Sequence, residues 1–325
     1  MSDVAVVGGG IVGCALAAFL AEGGAEVTLY ERERIAAGAS GRNSGVVQHP
    51  LDRELVGLYE ESLGHYRGLE GFELPEEHVG LLLLGATEGH DEFPELDATL
   101  VEDASQLEPA LKPGIPAIRL ETGRPVPPAA AAHAWADRAT RAGAKIVIGE
   151  APTQGLRVLA AGPWTADLTS LPIQAIWGVV VELELANAPR HVLEEAGIDA
   201  LTSADVPDVL FSAVTARGIS AVGSTFMPEE PDPEELAPRI LEHARRFLPD
   251  LGRRTGLRAC ARPGSKDGRP MLGRLDERTY VASGHGAWGI TLGPASARLV
   301  ADQVLGRPAV IPPAVDVSRW LTRPS

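Results

Sequence analysis

Two side chains that can do chemistry stand close together in the stretch CARPGSKDGRPMLG, which runs from Cys260 to Gly273. Arg262 precedes a proline and a turn rich in glycine and aspartate. A guanidinium binds a carboxylate through two parallel charge-assisted hydrogen bonds, so Arg262 is a candidate for holding an anionic substrate. Cys260 is either a covalent tether or a packed thiol. The stretch by itself is also compatible with an ordinary surface turn.

A glycine-rich segment at the start of the chain is the second candidate site. The run Val4 to Val7 predicts a buried parallel strand, and the helix-forming stretch Cys14 to Glu22 follows six residues later. Between them, glycines at positions 8, 10 and 13 match the dinucleotide-binding fingerprint in the setting that it requires. A strand followed by such a loop and a helix N-terminus is a site for a pyrophosphate.

Each fingerprint residue has a separate task. Gly8 permits the tight turn, Gly10 lets the backbone approach the pyrophosphate, and Gly13 lets the helix pack on the strand. A second strand, Ala25 to Tyr30, ends at Glu31, whose carboxylate can accept a hydrogen bond from a ribose hydroxyl. The fingerprint predicts a bound nucleotide, but it does not separate a nicotinamide from a flavin. Cys14, on the first helix, is expected to pack in the core.

Composition excludes several classes of function. The chain has 325 residues, 45% of them hydrophobic, and a net charge of −15. This charge argues against nucleic acid as a partner, and the length favours two joined domains. Cys14 and Cys260, the two cysteines, form neither a disulfide framework nor a metal site and fit a cytoplasmic protein. Glycines interrupt the apolar run Val4 to Ala21, so no membrane segment is expected.

Four further segments identify the flavin alternative by resemblance. The stretch ERERIAAGASGRNSGVVQHP, residues 31–50, resembles the loop that lies against the flavin in the D-amino acid oxidase superfamily of FAD-dependent oxidoreductases. RVLAAGPWTADL (157–168), RPGSKDGRPMLGR (262–274) and VASGHGAWGITLGPASARLVADQVLG (281–306) resemble other family segments in the family's order. The sequence of the 262–274 segment most resembles that of glycine oxidases, and the chain is also similar to sarcosine oxidases.

The resemblance implies an α/β (α+β) fold with FAD as cofactor: a Rossmann-like domain with a parallel sheet and a smaller substrate domain with an antiparallel sheet. The FAD-binding domain would comprise residues 1–50, 125–172 and 256–325, and the substrate domain residues 51–124 and 173–255. The residues assigned to the cofactor are Gly8, Gly10, Ile11, Val12, Gly13, Glu31, Arg32, Ser40, Gly41, Arg42, Asn43, Ser44, Gly45, Ala161, Gly162, Trp164, Gly284, His285, Gly286, Trp288, Gly289 and Ile290.

Local patterns add further elements. Helices are predicted at 51–68, 104–111, 129–142 and 236–248, and strands at 79–84, 145–148, 158–161, 179–185 and 219–223. A helix starting near Pro294 would direct its N-terminus at a reduced flavin. Only residues 149–156 separate two strands between which family members carry a longer β-excursion, so this accessory sheet is expected to be trimmed or absent.

The resemblance also assigns candidate catalytic residues. Arg262 would hold the substrate's carboxylate beside the flavin, and His49, which follows the Ser-Gly-Arg-Asn loop closely, would reach the site. Cys260 matches the position of a flavin-bonded cysteine in sarcosine oxidases, but the surrounding residues resemble the non-covalent glycine oxidases more. Where glycine oxidases often have a second arginine, this chain has Ala287 and Trp288. The histidines show no metal-ligand spacing, and no metal site is predicted.

The resemblance implies an FAD-dependent enzyme that oxidises the C–N bond of a small amino acid or secondary amine. The substrate would pass a hydride to flavin N5 and leave as an imine that hydrolyses. An FAD-dependent 2-hydroxy-acid dehydrogenase, a flavoprotein without amine turnover and an NAD(P)-linked dehydrogenase are the alternatives. The electron acceptor, oxygen or another compound, stays open, as do the identity of the amine and the oligomeric state.

Overall fold

A computed structural model describes residues 3–88, 93–198 and 209–321. In these ranges the strands are β1 (Asp3–Val7), β2 (Glu26–Glu31), β3 (Val46–Val47), β4 (Leu81–Leu84), β5 (Thr99–Val101), β6 (Ala117–Leu120), β7 (Arg124–Pro125), β8 (Lys145–Ile148), β9 (Leu156–Leu159), β10 (Gln174–Glu184), β11 (Val192–Glu195), β12 (Val209–Ala216), β13 (Ile219–Thr225), β14 (Arg253–Gly264), β15 (Met271–Arg274) and β16 (Thr279–Ser283). The α-helices are α1 (Ile11–Glu22), α2 (Ala39–Arg42), α3 (Arg53–Arg67), α4 (Ala130–Arg141), α5 (Thr165–Leu168), α6 (Pro233–Ala244) and α7 (Gly289–Val304).

The N-terminal strands form the predicted parallel sheet. Its six strands lie in the order β15-β16-β9-β1-β2-β8, and all neighbours are parallel except β15 and β16. β1 is central because its residues are buried on both faces, as its β-branched run predicts. The chain leaves β1 at the carboxyl end of the sheet and returns through α1 to the parallel strand β2. The glycine loop between β1 and α1 therefore lies at that end, where nucleotides bind in such folds.

Helix α1 is buried all around. Ten of its residues are buried, and it packs against α4 and α7 as well as the sheet. An evenly apolar helix of this kind needs partners on every side, which the alanine-rich α4 and α7 supply. The N-terminus of α1 is therefore fixed in position at the edge of the nucleotide loop.

The second sheet has eight strands in the order β14-β10-β13-β12-β11-β4-β6-β5. Its pairs are antiparallel except β11 with β4, which are parallel. Val179, Val181 and Leu183 of β10 face α6, whose Leu236 and Ile240 complete a core on that side. Because side chains alternate along a strand, the intervening residues of β10 face the opposite way, toward the cavity described below.

Helix α7 differs from the prediction of a helix starting near Pro294. It begins at Gly289 and contains Pro294 in its second turn. Proline removes one helical hydrogen bond and distorts the next, which is why its position suggested a helix start. Here α3 compensates: Tyr66 Oη donates to the carbonyl of Ile290, and Ser62 Oγ accepts from the N–H of Ala295. Tertiary contacts therefore allow the helix to run through the proline.

Other helices and strands agree with the predicted elements or differ from them in their bounds. The predicted helix at 236–248 is confirmed with shifted ends: it begins at Pro233, where the Asp232 side chain accepts from the N–H of Glu234, and it ends at Ala244. The helix expected at 104–111 is only a 3₁₀ turn, Ala104–Gln106, which Asp103 caps. The sequence patterns did not predict the strand β12 or the full length of β14.

Two expectations concern boundaries. β8 and β9 are joined directly by residues 149–155, all of them described and none in a strand, as the short spacing predicts. The predicted domain boundary at residue 256 falls inside β14, which pairs with β10 from Arg253 to Gly264 in the eight-stranded sheet. The limits of the two domains remain a prediction. Within residues 3–88, 93–198 and 209–321, no helix is both long and apolar enough to cross a membrane.

Candidate functional site

A cavity of about 880 Å³ opens between the carboxyl end of the parallel sheet and one face of the eight-stranded sheet. The predicted residues that line it are Gly8, Gly10, Ile11, Val12, Glu31, Arg32, Ser40, Arg42, Asn43, Ser44, Gly45, Ala161, Gly162, Trp164, Cys260, Arg262, His285, Gly286, Trp288, Gly289 and Ile290. Gly13, Gly41, Gly284 and His49 do not line it. Segments far apart in sequence thus meet at one cavity.

Close backbone packing explains the fingerprint glycines. Gly8 has a φ of +112°, and a β-carbon there would lie 2.4 Å from the carbonyl oxygen of Ala160. A β-carbon at Gly13 would lie 1.9 Å from the carbonyl oxygen of Gly8. Gly13 therefore allows the helix to pack against the loop, although it does not line the cavity. At Gly10 the β-carbon would meet the Ser40 hydroxyl at 3.0 Å. Only glycine allows this turn and leaves the helix N-terminus open to a ligand.

Glu31 holds the nucleotide loop in shape. Its Oε2 accepts from the N–H of Gly9 at 2.7 Å, and its Oε1 accepts from the N–H of Glu33 at 2.9 Å. The Ser40 hydroxyl accepts from the N–H of Ile11 at 2.9 Å. The first turn of α1 contains no acidic residue, so the positive end of its dipole is not neutralised within the helix. This arrangement suits a diphosphate.

The Ser-Gly-Arg-Asn segment is a self-supporting loop at the cavity wall. Asn43 donates through Nδ2 to the carbonyls of Ala39 and Ser40, and its Oδ1 accepts from the N–H of Gly45. Gly41 faces away from the cavity, because a β-carbon there would lie 2.2 Å from the carbonyl of Ala36. Its role is to let the loop pack closely.

Two aromatic and glycine-rich segments complete the nucleotide part of the cavity. The guanidinium of Arg32 lies 3.9 Å from the ring centre of Trp164, in a cation–π contact. Ser283 Oγ donates to the carbonyl of Gly162 at 2.8 Å and so ties the Trp164 turn to β16. At this part of the wall the Arg32 guanidinium therefore covers one face of the Trp164 ring.

His285 lines the cavity a few residues before α7 begins. Its side chain is 2% exposed, and among the described residues its Nε2 has no hydrogen-bond partner. Burial lowers the pKa of His285 to about 4, so its imidazole is neutral at pH 7. α7 likewise has no acidic residue in its first turn. A buried, unpartnered ring nitrogen beside a helix N-terminus indicates a site made for a polar ligand.

Arg262 is directed into the cavity from β14. Its Nη1 donates to the carbonyl of Thr225 at 2.9 Å and its Nη2 to the Ser224 hydroxyl at 2.5 Å, and the guanidinium lies 4.8 Å from the ring centre of Phe226. Burial lowers the pKa of Arg262, and the Cys260 thiol opposes this weakly. In residues 3–88, 93–198 and 209–321, no Asp or Glu forms an ion pair with it. A buried cation without an anionic partner is costly in a protein, which makes the site ready for an anion.

Gly178 makes room for this arginine. It lies on β10 beside β14, and a β-carbon there would come within 2.5 Å of both Nη atoms of Arg262. Sequence reasoning missed Gly178, Ser224 and Phe226, because their relation to Arg262 depends on strand pairing across distant segments. The strands at 179–185 and 219–223 were predicted, but nothing in their local sequence indicates how they pair with the strand that contains Arg262.

Cys260 is on the same face of β14 as Arg262, two residues away, and is 6% exposed. Burial raises the pKa of the Cys260 thiol above its ordinary value, although Arg262, Arg258 and Arg42 act in the opposite direction. The thiol is therefore protonated at neutral pH and is a poor nucleophile. Both readings of Cys260, packed thiol and tether, remain predictions, and this burial supports the first.

His49 lies outside the cavity, behind its wall. Its ring packs edge-on against Tyr59 and Phe93, with Nε2 3.5 Å from a carboxylate oxygen of Glu95. Burial lowers the pKa of His49, while Glu95 acts weakly against that shift. The structure does not bring His49 together with Arg262, whereas the neighbouring residue, Gln48, does line the cavity. A catalytic role for His49 stays a prediction.

Comparison with known proteins assigns the family. Residues 3–303 match the family model described as FAD dependent oxidoreductase. The chain belongs to this family of FAD-dependent oxidoreductases. Among curated relatives, a glycine oxidase of Bacillus licheniformis is 24% identical over 94% of each chain. A bifunctional tRNA 5-methylaminomethyl-2-thiouridine biosynthesis protein of Burkholderia pseudomallei is 27% identical, and the alignment spans 99% of this chain but only 60% of that relative.

Solved structures share the fold of this FAD-dependent oxidoreductase. A glycine oxidase from Geobacillus kaustophilus covers 100% of both chains with a TM-score of 0.81 at 23% identity. An iminodiacetate oxidase from Chelativorans sp. BNC1 gives a TM-score of 0.78 at 22% identity over 98% of each chain. The α/β fold and FAD as cofactor, both expected from the sequence, are thereby confirmed.

The cavity fits the family's cofactor. The loop at Gly8 and Gly10 leaves the space that a β-carbon would fill, and the buried Nε2 of His285, which also lines the cavity, has no hydrogen-bond partner among the described residues. Between these two points the cavity is continuous, and it reaches Arg262.

Proposed function

We propose that this FAD-dependent oxidoreductase oxidises the C–N bond of a small amino acid or secondary amine that carries a carboxylate. The observation that carries the proposal is the guanidinium of Arg262, which lines the cavity without an anionic partner among the described residues. The expected product is an imine, which water hydrolyses after release. FAD supplies the hydride acceptor, and the protein supplies binding, orientation and the exclusion of water.

The partners of Arg262 leave it able to bind a carboxylate. Ser224 Oγ and the Thr225 carbonyl are neutral acceptors, and each occupies one of the five N–H donors of the guanidinium. A substrate carboxylate would supply the missing negative charge and accept two parallel hydrogen bonds. The ring of Phe226 supports one face of the guanidinium and so restricts its orientation. These contacts hold the arginine in place before the substrate arrives.

The cofactor would be held along the rest of the cavity. We assign the diphosphate to the loop of Gly8 and Gly10 with the α1 N-terminus, and the flavin end to the segment from His285 to Ile290. Ser44 and Gly45 would form the wall near the ring system. The neutral His285 adds no charge there, and the α7 N-terminus contributes positive potential.

No side-chain base is required if the substrate amine binds in its neutral form. The histidine that lines the cavity, His285, has a pKa lowered to about 4 by burial, and its Nε2 has no partner among the described residues. We infer that it positions a ligand atom rather than removing a proton at neutral pH. Both cysteines are free and buried, which supports a cytoplasmic location as part of the same proposal.

The names of similar proteins support this substrate class. Glycine oxidase and iminodiacetate oxidase are named for amines that bear a carboxylate. At identities of 22–24% these names do not assign the substrate of this chain. The shared feature that we transfer as a proposal is the pairing of an amine with an acid group.

Anaerobic reduction of the bound flavin tests the proposal. Purified yellow protein is mixed with a panel of amino acids, N-methyl amino acids and matched 2-hydroxy acids, and bleaching of the flavin absorbance is recorded. We expect bleaching by at least one amino or N-methyl amino acid and much slower reduction by the hydroxy acid of the same carbon skeleton. Faster reduction by the hydroxy acids would contradict the proposal, as would a flavin that none of these compounds bleaches.

A further inference from the structure

Three buried apolar side chains line the cavity without belonging to a hydrophobic core. Ile176, Val180 and Phe226 are 4%, 3% and 6% exposed, and each lines the cavity. None of the hydrophobic clusters formed by the described residues contains them. Val179 and Val181, the neighbours of Val180 on β10, pack on the opposite side against α6. The three side chains therefore turn their apolar surface toward the cavity.

All three lie next to Arg262. Ile176 of β10 is the residue that pairs with Arg262 of β14, and the ring centre of Phe226 lies 4.8 Å from the guanidinium. Val180 is on the same face of β10 as Gly178, beside which the guanidinium lies, and follows it by two residues. Two residues along a strand cover roughly 7 Å. Hydrocarbon thus borders the position assigned to the substrate carboxylate and continues along β10.

Polar groups near this part of the sheet are engaged or distant. The Ser224 hydroxyl accepts from Arg262 Nη2, and Ser212 lies on β12, two strands from β10. On the described strands of this sheet, Glu194 is the charged residue besides Arg262 that lines the cavity, and it accepts from Gln48 Nε2 at 3.1 Å. It lies on β11, three strands from β10, which is roughly 14 Å across the sheet. Beside Arg262 the wall therefore offers apolar contact.

An apolar wall beside a buried cation selects a ligand with both characters. A carboxylate supplies the charge that Arg262 lacks, and a hydrocarbon group packed against Ile176, Val180 and Phe226 removes apolar surface from water. A second charged group in the same place would lose its hydration without gaining a charged partner from these three residues. Glycine, whose α-carbon bears only hydrogen, would leave the apolar contacts unused.

We propose that Ile176, Val180 and Phe226 form a specificity subsite for a hydrocarbon substituent that the substrate carries close to its carboxylate. This inference rests on the proposed function, because it takes the carboxylate to be at Arg262. It narrows the substrate to amino acids with an apolar side chain or an N-alkyl group, and it makes glycine a poor substrate.

A series of unreactive carboxylates probes the subsite in the FAD-loaded protein. Acetate, propionate, butyrate and valerate share the carboxylate and differ by one methylene at a time. Binding is followed by perturbation of the flavin absorbance and by calorimetry. We expect the dissociation constant to fall about fourfold for each added methylene, and so about 60-fold from acetate to valerate. In Val180→Thr, which keeps the branched shape and adds a hydroxyl, this gain should fall to about tenfold or less.

Matched controls separate the two proposals. Val310→Thr makes the same substitution at a position that is 87% exposed and does not line the cavity, and it should keep the full gain. An undiminished gain in Val180→Thr would overturn the subsite. If Val180→Thr does not fold, Val180→Ala decides, because it removes the same contact.

Arg262→Ala distinguishes the failure of the subsite from the failure of the proposed function. Equal affinities for the four acids in the unaltered protein, with their binding still lost in Arg262→Ala, would overturn the subsite and leave the proposed function standing. Binding of the acids that does not respond to Arg262→Ala would overturn the proposed function and, with it, the subsite.

Discussion

A β-carbon added to Gly178 would lie 2.5 Å from the Nη atoms of Arg262. The two residues stand on neighbouring strands, β10 and β14, and the missing side chain of one leaves the space that the other occupies. The guanidinium can therefore lie flat against the sheet while it reaches Ser224 and Phe226. The geometry of the proposed carboxylate site is thus determined as much by a glycine as by the arginine.

Gly178→Ala should displace the guanidinium without unfolding the protein, because the clash is with the far end of a long side chain rather than with backbone. We expect KM for a carboxylate-bearing substrate to rise by about tenfold or more, the loss of one charge-assisted hydrogen bond. Steady-state kinetics measure the change. Gly57→Ala, where an added methyl group meets nothing within 4 Å, is the control. Unchanged KM in Gly178→Ala would mean that Arg262 does not bind the substrate.

Tyr66→Phe tests how α7 tolerates Pro294. The phenol supplies the hydrogen bond that proline cannot give to the Ile290 carbonyl, and both groups are buried. Its loss should lower the free energy of unfolding by roughly 1–3 kcal/mol, measured by urea denaturation. In Tyr280→Phe, whose phenol makes no hydrogen bond within the described residues, stability should change little. A Tyr66→Phe protein as stable as the unaltered one would indicate that water replaces the phenol.

His285 should make stability depend on pH. Burial lowers its pKa from 6.5 to about 4. Between pH 6.5 and pH 4 the imidazole is therefore protonated in the unfolded chain and neutral in the folded protein. This contribution is absent above pH 6.5 and destabilises the fold increasingly as pH falls toward 4, by about 3 kcal/mol in all. The difference in unfolding free energy between the unaltered protein and His285→Asn, measured from pH 7 to 4, isolates it. A constant difference would refute the buried neutral imidazole.

Cys260 should not be bonded to the flavin. Its thiol is buried with a raised pKa and is protonated, and thiolates rather than thiols form such bonds. Acid precipitation of the purified protein should therefore leave the yellow colour in the supernatant. A coloured pellet that turns white in Cys260→Ala would contradict this and establish the tether.

The nucleotide half of the site could be predicted from the sequence because its signals are local. Gly8, Gly10 and Gly13 have the spacing of the fingerprint, and a β-carbon at any of the three would lie 3.0 Å or less from another atom. Arg262 was identified by the turn that follows it. The residues that surround Arg262 were not identified, because Gly178 and Ser224 come close to it only through the pairing of β10, β13 and β14.

The course of α7 could not be predicted for a related reason. Pro294 indicates a helix start when only neighbours in sequence are considered. The groups that compensate for it, Ser62 and Tyr66, lie more than two hundred residues earlier on one face of α3. Likewise, nothing in the sequence around Gln48 indicates that Glu194 stands beside it. Long-range contacts decide each of these features.

Replacing Arg262 tests the central claim most directly. In Arg262→Ala a buried substrate carboxylate loses its charged partner, so kcat/KM for an amino acid should fall roughly 30- to 4000-fold. Arg262→Lys should restore only part of this, because an ammonium cannot make the bidentate contact. Flavin content should stay near that of the unaltered protein, and an amine of the same skeleton without the carboxylate should hardly respond.

The decisive measurement is the ratio of kcat/KM for that substrate pair in Arg262→Ala and in the unaltered protein. A ratio that collapses toward one in the variant is the predicted result. Equal losses for both substrates would mean that Arg262 supports the flavin or the fold, and unchanged kinetics would mean that it does not bind the substrate.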